Sequence, residues 1–526
     1  MGKGFPKVKH NNPRTWDKED YIMVVQHNMQ AANANRMLNV TTSAQSKSTE
    51  KLSSGYRINR AADDAAGLTI SEKMRKQIRG LDQASTNAQD GVSSVQTAEG
   101  ALTEVHSMLQ RMNELATQAA NGTNSKDSDR QAIQDEIDQL TTEIDRVSET
   151  TKFNETYLLK GEAGTKTINM KAHDAGLKGT LTDNGDGTAT FVMDTLNAGD
   201  KVSIGGKNYT IGGTSDDLDT AFGKNGLDID TKHQDISVNG TTYKYYAATV
   251  QTKDGQGITA GYYSADPSTL ANQAAATATG VNGKVTADLA ALKTNAPAGS
   301  TITVGTKTVT LMKDDGTKGG TASDGIDDTD TTVISKKKAY ELASKELLKA
   351  NQIGDTKGSA KVGVGNTATA IDLTNGTGTF QIQTGSAEVA NSLAFSLHVG
   401  ADADMTNKIQ VNIDAMDSAS LGIKGLNVKD DSGNAATYAV DAISDAISKV
   451  SSQRSSLGAV QNRLEHTINN LDNVVENTTT AESRIRDTDM AEEMVNYSKN
   501  NILAQAGQSM LAQANQSNQG VLSLLQ

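Results

Sequence analysis

Residues 95–119 read VQTAEGALTEVHSMLQRMNELATQA, and within them Val95, Ala98, Leu102, Val105, Leu109, Met112, Ala116 and Ala119 recur at alternating spacings of three and four. That is a heptad seam, and at 1.5 Å per residue it predicts a helix of roughly 40 Å carrying one apolar stripe. A stripe this narrow closes no core alone and requires partner helices. Asn121-Gly122 ends the run, and Ser128 with Gln131 three residues later predicts a capping box for a second helix. The second helix repeats the seam at Ile133, Ile137, Leu140, Ile144 and Val147. Near the other end of the chain a third stripe runs through Ile443, Ile447, Val450, Leu457, Val460, Leu464, Ile468, Leu471 and Val475, with Arg454 and Gln461 as polar interruptions. Three such stripes predict one antiparallel bundle built from both halves of the sequence.

Outside the bundle the helical signal thins. Asp489 and Glu492 are placed to cap a last helix whose apolar residues are Val495, Ile502, Leu503, Ala506, Met510 and Leu511, set among Asn and Gln, and residues 23–55 are similarly sparse. Helices of this kind are marginal in isolation, so both termini are expected to be disordered in a free monomer and to order on assembly. The four prolines, Pro6, Pro13, Pro267 and Pro297, all avoid the helical arms.

Between the arms the period changes to two. Thr190–Met193, Lys201–Ile204, Tyr209–Ile211, Gln234–Val238, Thr301–Val304, Thr308–Met312 and Thr379–Ile382 read as short strands, with turns at Asp183–Gly187, Gly205-Gly206 and Asn239-Gly240. One helical interlude is expected over Val333–Ala350. The fold class is therefore α+β: a long antiparallel helical bundle formed by both chain ends, a coiled-coil-like rod, with one or two β-rich domains inserted.

Composition narrows the function classes. A length of 526 residues suggests about three or four domains. Aromatics make up 4% and mean hydropathy is −0.49, so much of the chain buries small aliphatic residues or buries little until a partner arrives. A net charge of −13 with Lys and Arg dispersed argues against nucleic acid or an anionic membrane as a partner. The absence of cysteine excludes disulfides, thiolate metal sites and thiol catalysis. No apolar run approaches the ~20 residues of a membrane span, and residues 1–22 lack the apolar stretch of a secretory signal. Those first 22 residues also look foreign to the rest. Lys18-Glu19-Asp20 back-translates to a purine run resembling a bacterial ribosome-binding site just ahead of Met23, so the functional chain is expected to start there. Finding Trp16 in the native protein by mass spectrometry would refute that start.

Catalytic and metal signatures fail on inspection. Seven histidines, His10, His27, His106, His173, His233, His398 and His466, include no pair at ligand spacing, and no His-Glu-x-x-His occurs. Gly206-Lys207-Asn208 departs from a phosphate loop at Asn208, where Ser or Thr is needed, and at Lys201, where a first Gly is needed. Asp183–Gly187 departs from a calcium loop because Gly185 sits where an oxygen ligand belongs. No nucleophile elbow is present. No enzyme activity and no cofactor are expected.

Multi-residue motifs at both ends carry a family resemblance. Leu52-Ser53-Ser54-Gly55, Arg57-Ile58-Asn59, Ala61 through Leu68 (AADDAAGL) and Gln96 through Leu102 (QTAEGAL) closely resemble the N-terminal region of bacterial flagellin. Leu457 through Leu464 (LGAVQNRL), Glu482 through Asp489 (ESRIRDTD), Gln505-Ala506-Gly507, Leu511 through Asn515 (LAQAN) and Val521 through Leu525 (VLSLL) resemble its C-terminal region. The resemblance implies a subunit of the flagellar filament, secreted to the extracellular side without a cleaved signal by the flagellar type III apparatus. Its implied partners are further copies of itself, an export chaperone, and the cap and hook-associated proteins. After the leader at 1–22, it further implies an inner-tube helix at 23–67, bundle halves at 68–165 and 395–484, a variable surface insert at 166–394 and a second inner-tube helix at 485–526. Polymerisation is assigned on this basis to Met29, Leu38, Leu503, Met510, Leu511, Val521, Leu522, Leu524 and Leu525.

Arg111, Leu115 and Gln118 fall on one helix face beside the seam. An apolar Leu115 there is expected to need a partner outside its own bundle. By resemblance, Gln110, Arg111, Glu114, Leu115 and Gln118, with Glu136 on the next helix, look like the surface where flagellins meet the innate-immune Toll-like receptor for flagellin and also each other. Exposed apolar stripes most often serve oligomerisation, which makes subunit packing the plainer use of this face. Two alternatives stay open: a hook–filament junction protein, which shares the ends but not normally residues 91–115 at this closeness, and a filament subunit whose insert binds glycans or carries O-glycans on its Thr and Ser.

Overall fold

The computed structural model describes residues 28–123, 128–222, 233–248, 250–255, 257–258, 261–269, 296–316, 323–364, 378–430 and 433–524. The leader and the proposed start at Met23 lie outside them. The chain divides into two compact units: Ala88–His398 with Lys408–His466, and the remainder, made of the residues up to Asn87, Val399–Asn407 and those from Thr467 onward.

The first of these holds the bundle. Helix α2 (Ala65–Ala119) enters it, α3 (Asp129–Thr150) follows, and α7 (Asn434–Arg486) returns. All eight seam residues of α2 are fully buried, and they share one core with Ile133, Ile137 and Ile144 of α3 and Ile443, Val450 and Leu457 of α7. Both crossings are antiparallel. The start of α3 meets the end of α2 where Arg130 Nε donates to the Ala119 carbonyl at 3.0 Å. Along α2 and α7, Gly91 lies against Leu464, Glu99 pairs with Arg454 at 3.6 Å, and the Ala120 carbonyl lies beside Gly433.

Three sequence expectations are corrected here. Ser128 and Gln131 form no capping box: Ser128 makes no side-chain cap bond and its hydroxyl donates to Asp129. The buried Arg130 ties this end to its neighbours, donating to the carbonyls of Ala119 and Asp430. Second, Leu115 has only 2% exposure and belongs to the bundle core, so it needs no partner from outside. Helix α2 packs on two helices at once, and its apolar arc is therefore wider than a two-position seam. Third, the buried polar residue of the α7 stripe is Gln453, whose amide donates to the Asn412 carbonyl at 3.1 Å and accepts from the Asp414 amide at 3.4 Å. Arg454 sits at the edge of the stripe, half-exposed.

The insert resolves into two β cores. Strands β4 (Gly179–Asp183), β5 (Thr188–Met193), β14 (Lys361–Val364) and β15 (Thr379–Gln383) form an antiparallel sheet in the order β14-β15-β5-β4. Beside it stand β6 (Lys201–Ile204), β7 (Lys207–Ile211) and β13 (Val333–Ile334), with β13 parallel to β7. Helix α5 (Lys336–Asn351) packs Tyr340, Ala343 and Leu347 into this first core with Phe191 and Phe380. It begins at Lys336 rather than Val333, because the Ser335 side chain caps the Lys338 amide and the two residues before it are drawn into the sheet.

The second core gathers β8 (Ile236–Val238), β9 (Thr241–Tyr246), β10 (Gly261–Tyr263), β11 (Thr301–Val304) and β12 (Lys307–Thr310) in the order β10-β9-β8-β11-β12, backed by α4 (Asp217–Phe222). Asn239 and Gly240, at φ 51° and 83°, and Gly205 and Gly206, at 58° and 70°, make the paired left-handed turns that two-residue hairpins require. Gly206-Lys207-Asn208 is thus a hairpin turn. Two long-range ribbons were not legible in advance. Strand β3 (Glu162–Asn169) pairs with β16 (Ser386–Asn391), and β17 (Leu393–His398) with β18 (Lys408–Ile413), whose Val411 and Ile413 enter the bundle core.

Candidate functional site

The other unit is built on two terminal helices, α1 (Met29–Ser54) and α8 (Met490–Leu524). They run antiparallel. Asn28 Nδ2 donates to the Ala514 carbonyl at 3.1 Å, Leu38 lies against Gly507, and Lys51 pairs with Glu493 at 3.7 Å. Backbone bonds close the junction, Thr488 N to the Gly55 carbonyl at 3.0 Å and Arg57 N to the Arg486 carbonyl at 2.6 Å. The Arg486 guanidinium stacks 4.8 Å from the Tyr56 ring and donates to Glu72 at 2.7 Å, a bond that holds the Glu72 carboxyl below its ordinary value. Asp489 caps α8, accepting from the amides of Ala491 and Glu492 at 2.9 and 3.1 Å.

What this pair lacks is a core. The one buried residue of α1 is Ser48, and the described side chains of α8 contribute only Glu493 and Ala504. Apolar side chains face outward instead: Met29 is 76% exposed, Val495 67%, Ile502 66% and Met510 64%. Leu503 is exposed as well, and Leu38 and Leu511 are half-buried. The side chains of Val521, Leu522, Leu524 and Leu525 lie outside the described residues. Met37, Val40 and Met494 join the exposed set. Sequence reading passed over them because scattered apolar residues among Asn and Gln give no period strong enough to mark a face. Met494, Val495, Ser498, Lys499, Ile502 and Leu503 lie side by side on one face of α8. Apolar surface of this extent on a helix pair marks an interaction site.

On the bundle, Arg111 holds a small polar constellation. Its Nε donates to Glu136 at 2.9 Å across to α3, and its Nη1 to Glu114 at 3.3 Å, contacts that reinforce its positive charge. Gln110 and His106 bond at 3.1 Å one turn away. Gln110, Arg111, Glu114, Gln118 and Glu136 are all solvent-exposed, whereas Leu115 points into the core beneath them. The surface is therefore charged and polar rather than apolar.

Residues 25–164 match the bacterial flagellin N-terminal helical region, and residues 440–525 match the bacterial flagellin C-terminal helical region. A flagellin of Clostridium tyrobutyricum is 38% identical over 505 residues, covering 94% of this chain and 100% of that one. The chain belongs to the flagellin family. A flagellin of Salmonella typhimurium is 37% identical, covering 93% of this chain and 96% of the other, and one of Bacillus subtilis is 33% identical, covering 96% and 100%. Flagellins are structural proteins, the subunits of the bacterial flagellar filament, and the coreless helix pair and the heptad bundle each draw helices from both matched regions. Among the described residues, no helix is long and apolar enough to cross a membrane.

Proposed function

We propose that this chain polymerises into the flagellar filament by packing α1 and α8 against the same helices of other copies, residues 23–67 and 485–526 forming the inner tube. Residues 68–165 and 395–484 then form the surrounding bundle layer, and residues 166–394 face solvent. The observation that carries this reading is the exposure of Met29, Val495, Ile502 and Met510 on a helix pair with almost no core of its own. Burial of such side chains stabilises by about 1.5–3 kcal/mol each, and association is the route open to them. The near-full-length match to flagellins supports a filament subunit over a junction protein. Ile502→Asp tests the reading. Being solvent-facing in the single chain, it is expected to leave the monomer's melting unchanged while seeded filament growth falls on the order of a hundredfold, the equivalent of about 2.7 kcal/mol. Normal growth by this variant would contradict it.

Export fits the same picture: with no cysteine and four prolines, the chain is spared disulfide reshuffling and most prolyl isomerisation when it refolds after secretion. The flagellar type III route, with an export chaperone behind and the cap and hook-associated proteins ahead, is the corresponding proposal. A second use of the bundle is favoured by the exposed Arg111–Glu136–Glu114 constellation, which offers a rigid polar patch to the Toll-like receptor for flagellin. Arg111→Ala is expected to lower receptor activation by monomer about tenfold, as loss of one charge-assisted anchor does. Unchanged activation with the bundle intact would reject this surface.

A further inference from the structure

The apolar surface of α1 and α8 is rich in one residue type. All five of their methionines, Met29 and Met37 on α1 and Met490, Met494 and Met510 on α8, are between 48% and 76% exposed. Elsewhere methionine fills cores: Met112, Met170, Met193 and Met416 are at most 8% exposed. Met405, at the tip between β17 and β18, is the one other exposed methionine among the described residues. The chain has no cysteine. No thiol therefore competes for an oxidant, and the polarisable thioether sulfur is the group a peroxide meets first.

Attack of a thioether lone pair on hydrogen peroxide forms an S–O bond, breaks the O–O bond and releases water. The sulfur gives up two electrons and the peroxide is reduced. The product is a polar, chiral sulfoxide where an unbranched apolar side chain stood. On a solvent-facing helix this costs the monomer little, because water solvates the new oxygen. Against a partner helix the same oxygen is buried, and without a hydrogen bond there it opposes association. Reaction follows exposure, so the methionines of α1 and α8 are oxidised before those of the cores. The effect falls on assembly and spares the fold.

Resting on the polymerisation reading above, we propose that the exposed methionines of α1 and α8 are a reversible oxidation site that gates assembly: a peroxide converts them to sulfoxides in the free subunit, and the oxidised subunit fails to join a filament. The test treats full-length monomer with hydrogen peroxide at neutral pH, maps oxidation by peptide mass spectrometry and measures seeded filament growth. Met29, Met37, Met490, Met494 and Met510 are expected to gain oxygen well before Met112 and Met416. Growth is expected to fall by about tenfold or more with the bundle's melting unchanged, as conversion of an apolar contact to a polar one implies. Methionine sulfoxide reductases for both epimers, with dithiothreitol as reductant, are expected to restore growth. A variant carrying Met29→Leu, Met37→Leu, Met490→Leu, Met494→Leu and Met510→Leu keeps size and helix preference, and is expected to grow normally before and after peroxide although Met405 still oxidises. Undiminished growth of the oxidised protein, equal loss of growth in the Leu variant, or no recovery after reduction would each overturn the assignment. Oxidised monomer that grows while Ile502→Asp does not would sink this inference alone, and growth by both would take the polymerisation reading with it.

Discussion

Leu109→Ala is expected to lower the stability of the monomer by about 2–5 kcal/mol, read as a shift of the urea midpoint at constant slope. Leu109 sits at the middle of the α2 seam with no exposure, among residues drawn from α2, α3 and α7. Its neighbours are themselves at close packing, so they relax only partly into the space left behind, and a cavity term adds to the lost transfer energy. Val192→Ala serves as the comparison. That side chain is 47% exposed on β5, where a few tenths of a kcal/mol are at stake. If Leu109→Ala cost no more than Val192→Ala, the three-helix core would not be what holds this unit together.

Deletion of residues 505–526 is expected to do the reverse: leave the bundle's melting in place and abolish seeded filament growth. The segment belongs to the other unit, not to the one made of Ala88–His398 and Lys408–His466. It carries Met510, 64% exposed, and half-buried Leu511, followed by the Val521-Leu522-Ser523-Leu524-Leu525 run. Removing it takes away the partner of the N-terminal part of α1, where Asn28 meets Ala514 and Leu38 meets Gly507. Elongation that persists after this deletion would argue that the terminal helices are not the polymerising element.

Much of this architecture is legible in the sequence because its determinants are local. Every residue of the heptad seam from Val95 to Ala119 is buried, since a period of three and four fixes one face of a helix regardless of what covers it. Lys201–Ile204 and Thr301–Val304 are strands at their expected bounds, because a two-residue turn with positive φ sets where each hairpin starts. What escaped reading depends on distant partners. Strand β3 exposes most of its side chains, so it shows no apolar alternation, and its mate β16 lies more than 200 residues away. Leu115 looked unpartnered because the arc of a helix flanked on two sides cannot be inferred from one helix. The Ser128–Gln131 pair has the right letters for a cap, yet Ser128 takes a helical rather than extended backbone and turns its hydroxyl to Asp129. For the assembly surface, composition points to the terminal helices, but the exposure of Met37, Val40 and Met494 is set by how α1 and α8 pair, which no local pattern encodes.

The central claim is that α1 and α8 complete their burial only between copies, which amide hydrogen exchange on dilute monomer and on filament tests most directly. In the monomer, the amides of Met29–Ser54 and Met490–Leu524 are expected to exchange far faster than those of Val95–Ala119, and in the filament to slow to comparable protection. Terminal helices already protected to the level of the bundle in a dilute monomer, with no further slowing on assembly, would contradict it.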